Sequence, residues 1–165
     1  MAAISYTLTS ARKFPLSDIE RINGFNVKFS LPYTDFAGSA STATAATDVV
    51  TIALGATPAQ WIVDKACINV TTAYAVTGTQ TITVSLGTTT NISAFITAKS
   101  LTTIALLTPS TGLNTVETVT QSSATSTIGL VATVTNAAAN SLSTVTAGQA
   151  DIYLNVCSTP SGCFG

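Results

Sequence analysis

Apolar and polar residues alternate along most of this chain. In GQADIYLNV, residues 148–156, Ala150, Ile152, Leu154 and Val156 share one face, and Asp151, Tyr153 and Asn155 share the other. A period of two is the mark of a strand with unlike faces. The same pattern recurs from Asp48 onward: Val50, Ile52 and Leu54; Ile62, Ala66, Ile68 and Val70; Ile82, Val84 and Leu86; Ile128, Leu130, Ala132 and Val134. SLTTIALL and VETVT add shorter runs. Gly55, Pro58, Gly78, Gly87, Pro109, Gly112, Asn136 and Gly148 punctuate them. Several short strands with turn residues at this spacing predict a β-sandwich. One helical turn is expected within NISAFITAKS, with Ser93 capping Phe95 to Ala98.

The first 36 residues read differently. Ile4, Tyr6 and Leu8 alternate, as do Phe25, Val27, Phe29 and Leu31. Between them LSDIERING offers a capping box (Ser17 and Glu20) and a stop at Asn23-Gly24, which predicts a short helix. Four of the six basic residues fall here: Arg12, Lys13, Arg21 and Lys28. Residues 37–47, AGSASTATAAT, are small and have nothing to pack, as in a linker. The expected division is therefore an N-terminal arm with a short helix (1–36), a small-residue linker (37–47), a β-sandwich domain (48–156) and a C-terminal tail (157–165). Strands from the arm would bring the sandwich to the eight of a jelly roll, so the fold class is all-β, a jelly-roll-like antiparallel β-sandwich with an extended N-terminal arm.

Composition changes the picture at the surface. Only 8% of the 165 residues are charged and the net charge is −1, against roughly 25% charged in an ordinary soluble domain. Mean hydropathy is +0.48. The second face of most strands is Thr, Ser and Ala, which favours association over dispersal. An assembled protein hides such a surface; a monomer would have to solvate it with hydroxyls alone. No charge falls between Lys65 and Lys99 or between Glu117 and Asp151. Those stretches are nevertheless broken by Thr, Ser, Asn and Gly too often for a spanning helix. Outward Thr also suits water better than the lipid face of a porin-like barrel. The N-terminus has no continuous apolar run of the secretory kind, so a soluble protein is expected.

The absent chemistry is informative. The chain has no His, which removes every His-dependent triad, base or metal site. The seven carboxylates are scattered, and Asp18 and Glu20 fit the first turn of the predicted helix. GTTTN lacks the Lys of a phosphate loop. Asn69-Val70-Thr71 and Asn91-Ile92-Ser93 match the glycosylation pattern, as expected by chance in a Thr-rich chain. Cys157 and Cys163 flank a turn-forming tail and are either free thiols or bridged; Cys67 lies in a strand without an evident mate. The basic residues of the arm are diluted by Asp18, Glu20 and Asp35, so they are either an anchoring surface or a solvated patch, not a nucleic-acid footprint. Trp61 precedes Ile62 and Val63 in a strand, a position for the core or for a subunit contact. No enzyme, cofactor, metal, nucleic-acid, membrane or small-molecule role is expected.

The run IVDKACINVTTAYAVTGTQTITVSLGTTTNISAFITAKSL, with the closing TAGQADIYLNV, resembles a family of small β-sandwich virion proteins of tailed bacteriophages. The likeness spans about residues 48–156 and lies in strands and turns, not in a catalytic motif. It implies a jelly roll or related sandwich on the outside of a phage particle, as a capsid decoration or cement protein or a fibre component. The expected role is a structural subunit bound to the major capsid protein at subunit junctions of the shell, as a homotrimer. Its place would be the outer capsid surface of the virion, after synthesis in the bacterial host cytoplasm. The competing role is a receptor-binding or fibre-head module for a cell-surface glycan. Phe14, Phe25, Phe29, Tyr33, Phe36 and Tyr153 are the candidate interface residues, since aromatics make anchors.

Overall fold

The computed structural model describes residues 2–5, 24–37, 47–57, 61–76, 81–108, 128–137 and 141–158. Among the described residues there are nine strands: β1 (Ala2–Ser5), β2 (Val27–Pro32), β3 (Thr47–Thr57), β4 (Trp61–Ala75), β5 (Thr81–Thr88), β6 (Ile96–Ser100), β7 (Ala105–Leu107), β8 (Ile128–Ala137) and β9 (Ala147–Ser158). A one-turn helix, α1 (Thr34–Ala37), follows β2, and a 3-10 turn, Leu142–Thr144, precedes β9.

The strands form two sheets, in the orders β1-β3-β8-β5-β6 and β2-β9-β4-β7. Antiparallel pairs nest from the outside inward: β2 with β9, β3 with β8, β4 with β7, β5 with β6. The chain from β2 to β9 thus behaves as one long hairpin, doubled back between β5 and β6 and wound so that successive strand pairs alternate between sheets. That is the strand order of a jelly roll. β1 extends the first sheet, parallel to β3.

Alternation builds the core. Val50, Ile52, Leu54, Ile82, Val84, Leu86, Leu130, Ala132 and Val134 face inward from one sheet; Phe29, Leu31, Ala66, Ile68, Val70, Ile152 and Leu154 face them from the other. Large and small residues share rows: Ala132 sits between Ile52 and Leu86, and Ala150 between Leu31 and Val70. A small residue on the central strand makes room for a large one from the facing sheet. Tyr74 closes one end of the core. It is 2% exposed, its hydroxyl donates to the Leu31 carbonyl of β2, and burial pushes its ionisation well above the usual range. Its ring lies against Gly148, whose φ of +138° has no side chain to obstruct; a Cβ there would stand 2.3 Å from the ring.

The described strands of the first 36 residues join the sandwich, as a jelly roll of eight strands requires. β2 is hydrogen-bonded to β9 along its length, with Phe29 and Leu31 in the core, and β1 is paired to β3. Their hydrogen-bonding partners lie far along the chain, Val50 for Ala2 and Leu154 for Val27, which local composition cannot reveal. One sequence expectation needs correction: NISAFITAKS holds no helix. Asn91 turns the chain instead, its side chain accepting from the Ser93 amide at 3.3 Å, and β-branched Ile96 and Thr97 start a strand. Val63 faces the core with Ala66, and the side chain of Ile62 lies outside the description. A bulge between Val63 and Lys65 shifts the alternation by one residue. The predicted helix in 17–23, the VETVT run, most of the linker and the Cys157–Cys163 question lie outside the described residues or side chains.

Candidate interaction surfaces

The outer face of the four-stranded sheet is polar and internally paired. Strand register sets Lys28, Tyr153 and Cys67 in one row, and Ser30, Asp151 and Asn69 in the next. The Lys28 ammonium lies 3.1 Å from an Asp151 oxygen and 5.1 Å from the centre of the Tyr153 ring. The Tyr153 hydroxyl donates to Asp151 at 3.4 Å. Gln149 donates to Ser30 at 2.7 Å and to Asp151 at 3.4 Å. Phe25 packs on Tyr153, with ring centres 5.7 Å apart and planes tilted by 47°. Asn26 fixes this approach by clamping the backbone of Val156 with both ends of its amide, at 2.6 and 2.9 Å. The Lys28 and Asp151 charges cancel in place and the Tyr153 ring is covered. Burial raises the Cys67 thiol to about 11, so it stays protonated and a poor nucleophile near neutrality.

The outer face of the five-stranded sheet is unlike it. Its rows read Val49, Thr135, Thr83; then Thr51, Thr133, Ser85; then Ala53, Val131, Gly87. None of these carries charge. The 89–95 loop folds over Gly87, where a Cβ would meet the Asn91 carbonyl at 2.2 Å. Thr133, 3% exposed, has a buried hydroxyl without a hydrogen-bond partner among the described residues.

A third surface runs along the side of the sandwich where β6 and β7 end the two sheets. The exposed large apolar residues among those described are Ile104 (66%), Leu106 (63%) and Ile92 (48%).

The structure brings together two of the six residues expected at an interface: Phe25 and Tyr153. Phe29 is in the core, because it shares the inward parity of Leu31. Tyr33 packs partly buried against that core, its amide donating to the Gly148 carbonyl at 3.0 Å. Phe14 and the side chain of Phe36 lie outside the description. Sequence reasoning missed the Lys28–Asp151 pair and the Ile104–Leu106 ridge. The first needs the pairing of β2 with β9; the second was visible as matched parity in TIALL, but only the sheet order shows it lies on an edge. Among the described residues no cluster of three His, Cys, Asp or Glu could hold a metal, and no helix is long and apolar enough to cross a membrane.

No protein-family model and no curated protein matches the chain. Among solved structures, the capsid of Ralstonia phage GP4 is similar over 97% of this chain and 100% of that one, at 14% identity and a TM-score of 0.46.

Proposed function

We propose that this is a structural virion protein, a capsid decoration or cement subunit that binds the outer shell of a phage head at subunit junctions. The observation that carries the reading is the uncharged, hydroxyl-rich outer face of the five-stranded sheet. Its half-buried Thr51, Thr83, Ser85 and Thr135 can hydrogen-bond to a neighbour without the desolvation cost of charge, while Val131 and Thr133 are already covered at 3% exposure each. The sequence resemblance over residues 48–156 supports the same assignment. A protein that binds only the assembled shell stabilises it by mass action. A trimer fits this role, since cyclic symmetry matches three-fold junctions of a shell. Glycan recognition has less support: on the described polar face the Tyr153 ring is 8% exposed and lies under Phe25 and Lys28, so that ring is not open for a sugar to stack on.

The test is addition of purified protein to heads that lack it. Co-sedimentation in many copies and DNA release at a higher temperature are expected. Thr51→Lys with Thr83→Lys, which charges the outer face of the five-stranded sheet without touching the core, should abolish both effects while circular dichroism stays that of a β protein. Undiminished binding by that variant would rule out this face as the contact.

A further inference from the structure

We propose that the β7 edge of the four-stranded sheet is a contact between two copies of this chain, paired antiparallel about a two-fold axis at Ala105. The inference does not depend on the virion reading. β7 ends its sheet, joined to β4 only through Ala105–Leu107 opposite Ile68–Val70. Its far side meets no described strand, and the backbone groups of such an edge can pair with another strand. Ile104 and Leu106 stand beside it 66% and 63% exposed. The opposite edge of the same sheet, β2, carries Lys28 and Pro32, residue types that discourage edge-to-edge addition. The segment Leu101–Thr108 carries neither charge nor proline. One edge is guarded and the other is not.

The pattern of the edge identifies its occupant. A charged partner finds no complement between Leu101 and Thr108, whereas the edge complements itself. With Ala105 facing Ala105 of a second copy, Ile104 falls opposite Leu106 of that copy, and Leu106 opposite its Ile104. Directly opposed residues on antiparallel strands have Cβ atoms about 5 Å apart, so each apolar side chain is covered by its counterpart. A two-fold contact requires this kind of self-complementary patch. Strands of three residues bury less than the ~1,200 Å² of a stable standalone interface, and a net charge of −1 opposes association only weakly. The contact is therefore concentration-dependent in solution, and is strengthened wherever copies are held side by side.

Sedimentation or light scattering on the full chain across a dilution series tests this, beside the double variant Ile104→Lys/Leu106→Lys. The weight-average mass of the wild type should rise with concentration, and the double variant, with an unchanged circular dichroism spectrum, should lose that rise. Mixing it with Ile104→Glu/Leu106→Glu should restore association, because lysines then face glutamates across the axis. Amides of Ala105–Leu107 in the unmodified protein should exchange more slowly as concentration increases. A wild-type mass that never changes with dilution would overturn the proposal. So would identical behaviour of the lysine variant, or edge amides protected equally at every dilution; the last would show the edge covered by the chain's own residues.

Discussion

At the scale of single residues, the junction of Tyr74 and Gly148 joins three strands. Tyr74 comes from β4, Gly148 from β9, and the carbonyl that Tyr74 holds belongs to Leu31 of β2. Gly148→Ala would place a methyl inside the ring and force a left-handed φ on a residue with a Cβ. Positive φ alone costs on the order of 1–3 kcal/mol, and the ring cannot retreat within a packed core. Tyr74→Phe keeps the packing but removes one hydrogen bond to a buried carbonyl, a loss of about 1 kcal/mol. Urea unfolding should rank them in that order, glycine variant worst. Equal midpoints for Gly148→Ala and wild type would mean that the strand end relaxes freely. Tyr74 and Gly148 each stood out in the sequence only as members of strand-like runs, because the contact joins residues far apart in the chain.

At the scale of elements, period-two patterning identified β3, β5, β8 and β9 and their inward residues. In these strands one face is wholly apolar and the alternation runs unbroken through the core region. It misled where alternation breaks or where a segment's charge content differs. β4 carries bulges, so its parity changes along its length. β2 has the alternation of a core strand, but its basic residue made it look like part of an arm. Lys28 is tolerated because Asp151, across the pairing, answers it on the outer face. The β8–β9 connection shows how little signal a fixed loop needs. Asp48, 4% exposed at the start of β3, accepts from the Leu142 amide at 2.7 Å and from the Ser141 hydroxyl at 3.3 Å. Asp48→Ala leaves that buried amide unpaired, a loss of about 1–3 kcal/mol. Asp48→Asn retains an acceptor and should cost less. Amide exchange at Leu142 reports it directly: fast in the alanine variant, slower in the asparagine one, with equal rates in all three proteins counting against the tie.

For the whole molecule, the two sheets have opposite outer characters, and this bears on where an anchor to a shell would lie. One outer face is polar and carries the Lys28–Asp151 pair; the other has hydroxyls and small apolar groups. The candidate site was legible as a deficit of charge, but not as a particular face, because only the pairing of β3, β8 and β5 assembles their outward Thr and Ser into one surface. Truncations of the N-terminal segment separate folding from attachment. Deleting residues 1–36 removes β2, and with it Phe29 and Leu31, both nearly fully buried; each large core side chain lost costs roughly 2–5 kcal/mol. Total stability of a domain is only about 5–15 kcal/mol, so that truncation should not fold. Deleting residues 1–23 spares all eight strands of the jelly roll and should leave a cooperative thermal transition. If Arg12, Lys13 and Phe14 form an anchoring surface rather than a solvated patch, that contribution is separable from folding: the shorter truncation should be folded and should occupy heads less completely than the full chain. Full occupancy by the folded 24–165 protein would assign attachment to the sheet faces alone, and a folded 37–165 protein would show that β2 is dispensable to the core.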